Sequence, residues 1–513
     1  MTVMRKNAVF IISLLGLALP SCANPIYRDY VYSPLNNDPF VEIQKDGFYR
    51  IGDYDSYESN GHEINMDFSS IYQLGNVRFN MPTVGEVPLL VIPIDFEDSV
   101  GNLSSIKNIE SAFKGDNGTN QYVSVAEYYD RCSMGRLHLL PHVTDRFFRS
   151  STYPKKSDLA SLTGSGAVST LTRLYNEALA WFGETYPSIS LDDYSFLAKN
   201  GSKKIPLYFI YNAPYSGEAD GSSNRDSMFW AFTINSPAPI SWSSIDMMHL
   251  SSNKVDAHTY IHETGHLLGL EDYYDTFSTS ILSKVSPLGR MDMMDCSLGD
   301  QNAFSKMLLG WERPFVPTTD CEITIHQSSL NNECILLSPS WNKTLFDQYV
   351  LLEFYTPTGL NKVDALYRND PSMRLMRRPG VKAYLIRGNL KLYNGNVQTG
   401  EYLTPNNYNG GRLYFGRNNN SKDNPLIQTL NKYGNKVTLP DYFVASDHEE
   451  DVSFIQNGEV VSIHLSESLF FQNEGIDNEH FSDLRINGNK LGCSFKVSEL
   501  TSSYAKIKIT FDK

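Results

Sequence analysis

The stretch HTYIHETGHLLGLEDYYD, residues 258–275, combines side chains that bind a metal with one that can activate water. His262 and His266 lie four residues apart, so on a helix their imidazoles leave the same face one turn apart. That spacing lets two imidazoles hold one tetrahedral zinc ion. Glu263 stands beside the first histidine and would act as general base toward a water molecule at the ion. The pattern predicts metal-assisted hydrolysis.

A third ligand is needed, because a catalytic zinc ion usually has three protein ligands. Gly269 can adopt the positive φ that ends a helix and turns the chain back, so that Asp272 could reach the ion from the other side. The longer pattern H-E-x-x-H-x-x-G-x-x-D is far rarer by chance than H-E-x-x-H, which favours a metal site over a helix with two solvated histidines. Other acids near in sequence stay open as third ligand: Asp275, Asp292 and Asp295.

His258 lies on the same helix face, four residues before His262. Successive turns of one rigid helix cannot surround a tetrahedral ion, so we expect His258 to cap the helix or to hydrogen-bond near the ligands rather than to bind the metal. Asp256 or Thr259 is the expected start of this helix.

The stretch GRMDMMDCS, residues 289–297, predicts a tight turn at Gly289 with Met293 or Met294 buried. A buried methionine is most often a filler of the apolar core. In metzincin-type zinc peptidases, however, a methionine turn forms an apolar floor beneath the metal. Its place shortly after the zinc helix favours that role, with Met294 as the methionine of the turn.

Strands alternate with helices before and around this site. Residues 87–98 and 203–214 are apolar runs typical of buried strands, and residues 168–182 carry apolar side chains at helical spacing. Residues 124–140 read as a helix broken at Gly135 and followed by a strand. This alternation predicts an α/β or α+β domain over about residues 83–312. Together with the H-E-x-x-H pattern, it leads us to expect an α+β, zincin-like catalytic domain there.

The pattern changes at Pro314 and Pro317, which cannot continue a helix. Residues 313–513 contain short alternating runs separated by Gly, Asn and Pro, which predict an all-β, sandwich-like C-terminal region. Packing on the catalytic domain is the favoured role for this region, and sugar binding is the alternative. The clearest runs are ECILLSP, QYVLLEFY, VKAYLIR, EVVSIHLS and YAKIKITF.

The N-terminus has the form of a signal peptide, with Arg5 and Lys6 before an apolar run over residues 8–19. The run ends in LPSC, which resembles the lipobox of bacterial lipoproteins. We therefore predict a lipoprotein signal peptide over residues 1–22 with lipidation of Cys22; the alternative is an ordinary secretory signal cleaved near Cys22. Either prediction places the protein outside the cytoplasm, and membrane attachment is expected only through the N-terminal lipid of the first.

The polar residues 23–82 predict a leader, linker or pro-segment, and their acids lack the spacing of a calcium loop, so calcium is unsupported. The net charge of −14 argues against binding to nucleic acid. Cys321 and Cys334 could bridge a hairpin, and free buried thiols are an equal alternative. No Cys-x-x-Cys spacing exists to suggest a cysteine zinc site.

Several segments together resemble the immune inhibitor A family of secreted bacterial metallopeptidases. The resemblance covers roughly residues 85–312 and the first strand pair of the C-terminal region. Its segments, in chain order, are LLVIPIDFED, SVAEYYDRCSMGRLHL, HETGHLLGLEDYYD, GRMDMMD, NAFSKMLLGW and QYVLLEFY…PGVKAYLIRG.

The resemblance implies one zinc ion on His262, His266 and Asp272, with catalysis by Glu263. The chain departs from the family at Met291, where the methionine turn usually carries an aromatic residue. The expected protein is a secreted or surface-anchored zinc metalloendopeptidase acting on proteins or peptides. The alternatives are a catalytically silent surface-binding lipoprotein and a zinc hydrolase of another substrate, such as a glycan.

Overall fold

The computed structural model describes residues 48–50 and, with internal gaps, residues 81–275 and 287–512; the longest gaps are 215–228 and 433–450. Within these residues, helices and several sheets are both present. The predicted mixture of α and β structure, with strand-rich regions, is therefore confirmed.

Two predictions for the N-terminus lie outside the described residues: the signal peptide over residues 1–22, with Cys22, and most of the leader over residues 23–82. Within the leader the structure describes residues 81 and 82 and Phe48–Arg50, which forms a strand. No helix within the described part of the chain combines the length and hydropathy that crossing a bilayer requires.

All but the last of the described α-helices lie in the first two thirds of the chain. They are α1 (Leu103–Lys114), α2 (Val125–Cys132), α3 (Ser157–Ala160), α4 (Ser165–Thr185), α5 (His258–Leu268), α6 (Met293–Cys296), α7 (Ala303–Leu308) and α8 (Lys362–Leu366).

Strands occur throughout and dominate after residue 312. They are β1 (Phe48–Arg50), β2 (Gly85–Ile94), β3 (Leu137–Val143), β4 (Phe196–Leu197), β5 (Lys203–Lys204), β6 (Leu207–Tyr211), β7 (Phe232–Ile234), β8 (Ile240–Ser244), β9 (Arg313–Pro317), β10 (Cys321–His326), β11 (Glu333–Leu337), β12 (Gln348–Tyr355), β13 (Gly380–Arg387), β14 (Leu390–Asn394), β15 (Val397–Tyr402), β16 (Arg412–Phe415), β17 (Ile427–Leu430), β18 (Asp451–Gln456), β19 (Glu459–His464), β20 (Gly475–Ile476), β21 (Cys493–Leu500) and β22 (Tyr504–Phe511).

The first large sheet has the order β3-β2-β6-β8-β7, with parallel pairs except for the antiparallel pair β7–β8 at one end. Its inner strands β2 and β6 are largely apolar and buried because helices cover both faces. Leu89 and Val91 of β2 pack in the core that contains α1, α2 and α5, whereas Leu90 and Ile92 pack against α4. The sheet thus forms a rigid support for α5, the helix that carries the H-E-x-x-H pattern.

A second sheet, of order β1-β9-β11-β12-β13-β17, lies between two cores. Leu336 and Leu351 pack in the same core as α5. Ile335 and Leu352 point the other way, into a core shared with the four-stranded sheet β10-β22-β21-β20. One apolar core therefore crosses the predicted boundary at residues 312 and 313.

Three details differ from simple readings of the sequence. β1 belongs to the predicted leader, yet it pairs with β9 as the end strand of the second sheet. The C-terminal region is not purely β, because α8 lies within it. Cys321 and Cys334 do not form a bridge, because Cys334 is buried in the core that contains α5 whereas Cys321 packs against the other core of the second sheet. All five cysteines that the structure describes have free thiols.

The burial of Glu312, at the boundary between the two predicted regions, can be tested through the pH dependence of stability. Its side chain is fully buried just before β9, and burial raises its pKa from 4.5 to about 7. A carboxyl group whose pKa rises on folding binds its proton more tightly in the folded state, so wild-type stability falls as the pH rises between these two values.

We expect Glu312→Gln to raise the free energy of unfolding relative to wild type by on the order of 3 kcal/mol at pH 8, and by much less at pH 5. Urea unfolding at both pH values measures the difference. The same difference at pH 5 and pH 8 would contradict the buried, proton-linked state of Glu312.

Candidate metal centre

His262 and His266 are oriented by backbone carbonyl groups. Nδ1 of His262 lies 2.7 Å from the carbonyl oxygen of Met293, and Nδ1 of His266 lies 2.8 Å from that of Leu270. A carbonyl oxygen only accepts, so each Nδ1 carries the proton and donates it. The Nε2 atoms are therefore the atoms available to bind a metal, which is the arrangement that outer hydrogen bonds give to histidine ligands.

Asp272 meets both of these nitrogen atoms. Its Oδ1 lies 3.1 Å from Nε2 of His262 and 3.1 Å from Nε2 of His266. Bonds of roughly 2.1 Å at tetrahedral angles would place ligand atoms about 3.4 Å apart. The three donor atoms thus fit a small divalent cation after a shift of a few tenths of an ångström.

The end of α5 explains how Asp272 arrives there. Gly269 has φ 95° and ψ 29°, the left-handed conformation that glycine adopts readily, and the backbone N–H groups of Gly269 and Leu270 both donate to Gly265. This reversal turns the carbonyl of Leu270 back toward His266 and brings Asp272 to the open side of the histidine pair.

The centre stabilises positive charge. Burial opposes protonation of His262, but the hydrogen bond and charge of Asp272 outweigh it and raise its pKa to about 9. Burial likewise opposes ionisation of Asp272, yet His266 and His262 hold the pKa of its carboxyl well below the usual range. An anionic oxygen facing two imidazoles is the electrostatic environment that a divalent cation needs.

Glu263 also lies close to the two histidines, and it is the other candidate for a third ligand besides Asp272. His262, Glu263 and His266 each bring a ligand atom within 4.8 Å of the others. Asp272 is the better third ligand, because its oxygen lies 3.1 Å from both nitrogen atoms. Burial raises the pKa of Glu263, partly offset by the two histidines.

A hydroxyl group of the first sheet holds the Glu263 carboxylate. Thr233 of β7 donates from Oγ1 to Oε2 of Glu263 over 3.0 Å. Its Oγ1 also lies 3.2 Å from the carbonyl oxygen of Glu263, as does Oγ of Ser241. The sequence analysis did not identify Thr233, because no pattern in a short strand shows that a threonine hydroxyl will contact a helix distant in sequence.

His258 is the first residue of α5 and faces two carboxylates rather than the centre. Its Nδ1 hydrogen-bonds Oδ1 of Asp256, and its Nε2 lies 3.0 and 3.1 Å from the oxygens of Asp364. His258 therefore bridges two carboxylates and does not face the histidine pair. The expected start at Asp256 or Thr259 is displaced to His258, whose backbone N–H donates to Asp256.

The stretch predicted to form a methionine turn contains α6, and Met294 packs against α5 as a fully buried side chain. A Cβ atom at Gly265 would lie only 2.5 Å from Sδ of Met294, so this sulfur occupies the space above the glycine between the two histidines. Met293 supplies the carbonyl that orients His262. Met291, the position that departs from the family pattern, is also buried.

Two of the other acids named as possible ligands, Asp292 and Asp295, hydrogen-bond groups outside the histidine pair, and the third, Asp275, is fully buried. Asp292 caps α6 through Met294 N and also accepts from the backbone and side chain of Asn302. Burial raises its pKa to about 6. Oδ2 of Asp295 accepts from the backbone N–H of Arg290. Asp272 is the predicted acid that the structure brings to both Nε2 atoms.

A scan against models of known protein families finds no match for the chain, and a search of curated proteins finds no relative.

The contact between Met294 and Gly265 yields a testable prediction. Gly265→Ala should cost about 1–3 kcal/mol of stability by overpacking against the sulfur, despite alanine's higher helix propensity. In a Met294→Ala background the same change should be close to neutral, because the sulfur is gone. Urea unfolding of the four proteins measures both values, and an equal cost of Gly265→Ala in both backgrounds would refute the contact.

Proposed function

We propose that the protein is a zinc-dependent endopeptidase whose metal is bound by His262, His266 and Asp272. The observation that carries the proposal is the convergence of two Nε2 atoms and one carboxylate oxygen at 3.1 Å in a buried place. Imidazole and carboxylate donors in a set of three are the ligands of catalytic zinc. The resemblance of the sequence to the immune inhibitor A family points in the same direction.

When bound, a zinc ion would polarise the scissile carbonyl and make water a better nucleophile near neutral pH. Glu263 is the residue suited to take the proton from the attacking water and pass it to the leaving amine. Two features favour this role: its pKa is raised by burial, toward the range of an effective base, and Thr233 fixes its carboxylate. Asp272, being anionic, would make the ion less electrophilic than a third histidine would.

A peptide substrate is favoured by the position of β7. This strand ends the first sheet among the described strands, and its Thr233 contacts Glu263 directly. An extended peptide that added alongside such a strand would pass close to the general base. The arrangement of sheet, end strand and α5 is the basis on which we propose a zincin-like fold for residues 83–312, followed by a sandwich-like C-terminal region.

Two rival functions are weaker. A catalytically silent lipoprotein would not need Glu263 oriented by Thr233 beside a complete donor set. A zinc hydrolase of a glycan or another substrate would use the same centre, and the β7 edge argues for an extended peptide instead. The apolar N-terminal run ending at Cys22 supports surface anchoring or secretion as the proposed location.

Glu263→Gln separates catalysis from metal binding. We expect this variant to retain about one zinc ion per chain and to lose nearly all casein hydrolysis, since the amide cannot accept the water proton. Glu110→Gln, the same substitution at an exposed position of α1, is the control and should keep wild-type activity. Full activity of Glu263→Gln would contradict the role of Glu263 as general base. Hydrolysis by the wild type that persists in the presence of a chelator would contradict the zinc mechanism.

His266→Ala tests the metal site itself. Removing one imidazole leaves two ligands, which do not hold zinc tightly. We expect metal analysis of the purified variant to find far less than one zinc ion per chain, and casein hydrolysis to be lost with it. Zinc near one ion per chain in this variant would contradict the assignment of His266 as a ligand.

A further inference from the structure

A buried asparagine of the C-terminal region contacts the chain directly behind Asp272. Nδ2 of Asn419 donates to the carbonyl oxygen of Tyr273 over 2.9 Å, while its Oδ1 accepts from the backbone N–H of Ile427. The backbone N–H of Tyr273 donates to Met294 at 2.9 Å. The peptide groups on both sides of Tyr273 are thus held, and with them the direction in which Asp272 points.

A buried carboxylate of the same region contacts the start of the zinc helix. Asp364 is fully buried and accepts from Nε2 of His258 at 3.0 Å. Its Oδ2 also accepts from the backbone N–H of Gly299, three residues after α6, at 2.7 Å. One carboxylate therefore joins the helix that carries two ligands to the segment that follows α6.

Neighbouring side chains of the C-terminal region hold the same segment. Oδ1 of Asn361 accepts from the backbone N–H of Asp300, and Oε2 of Glu353 accepts from that of Ala303, each at 2.9 Å. Three backbone donors between residues 299 and 303 are thus satisfied by side chains from beyond residue 312. Apolar packing alone would not require such directed contacts.

We infer that the C-terminal region is part of the metal centre's framework, with Asn419 and Asp364 as positioning residues for the ligands. Asn419 acts through Tyr273 on Asp272, and Asp364 acts through His258 on the helix of His262 and His266. The inference rests on the proposed metal site and gives the C-terminal region a role in addition to packing and different from sugar binding. Hydrogen bonds made directly to metal ligands typically change metal affinity by about 10–100-fold. The contacts of Asn419 and Asp364 act one residue further out, so we expect effects at the lower end of that range.

The test uses the full chain and measures the metal directly. Asn419→Asp keeps the size of the side chain but turns an oxygen toward the Tyr273 carbonyl, and Asp364→Asn places an amide donor against Gly299 or His258. The matched control is Asn487→Asp, which removes an amide donor to Asp347 at 2.7 Å elsewhere in the C-terminal region. Two quantities are measured well below each protein's melting temperature: zinc release into excess chelator, and the visible spectrum of the cobalt-substituted protein.

We expect both positioning variants to release zinc at least about 10-fold faster than wild type, with an altered cobalt spectrum. The control should lower the melting temperature without changing either readout. If Asn419→Asp fails to fold, Asn419→Ala, which adds no charge, carries the test. Wild-type release and spectra in the folded variants would overturn the inference, whereas a wild-type protein that binds no zinc would overturn the proposed function instead.

Discussion

The structure depends on the meeting of three electron-pair donors in a buried place. With Nδ1 of His262 and of His266 hydrogen-bonded to carbonyl oxygens, each Nε2 atom faces Oδ1 of Asp272 at 3.1 Å. Acceptor atoms that face one another raise the free energy of the folded state unless positive charge lies between them. A proton on His262 can supply part of that charge, and a divalent cation can supply all of it.

This constraint explains why so many contacts around these three side chains are hydrogen bonds of fixed direction and not apolar packing alone. Met293 and Leu270 offer carbonyl groups to the histidines, and Met294 offers one to Tyr273 beside Asp272. α2 adds a further contact, because the hydroxyl of Tyr129 donates to the carbonyl of Ile261 over 2.6 Å. Each ligand is thus fixed by the element next to it, and these elements are fixed in turn by the two sheets.

Local spacing is what the sequence reveals best. The helix, its end at Gly269 and the approach of Asp272 all follow from rules that act over a few residues, and the structure shows each of them. The apolar runs likewise predict buried strands, although the run over residues 87–98 ends as strand β2 at Ile94. Features that depend on interactions between residues close in sequence can therefore be predicted from a single sequence.

Contacts between residues far apart in sequence cannot be predicted from such local patterns. Asp364 reaches His258 across 106 residues and Asn419 reaches Tyr273 across 146. No composition or period marks either residue, because each is one polar side chain in an otherwise ordinary segment. The same reason hides the pairing of β1 with β9, and the separation of Cys321 from Cys334 into two sheets.

The buried charges around α6 and α7 show what these long contacts provide. His258 lies between Asp256 and Asp364, and Lys306 is fully buried with its Nζ 2.6 Å from Asp300. Apolar side chains of equal volume would stabilise a fold as well or better, since desolvation cancels much of the attraction between buried ions. Ion pairs and hydrogen bonds do, however, fix distance and direction, which apolar contacts leave loose. Their concentration beside the histidine helix fits a centre in which a shift of 1 Å would separate the ligands from one another.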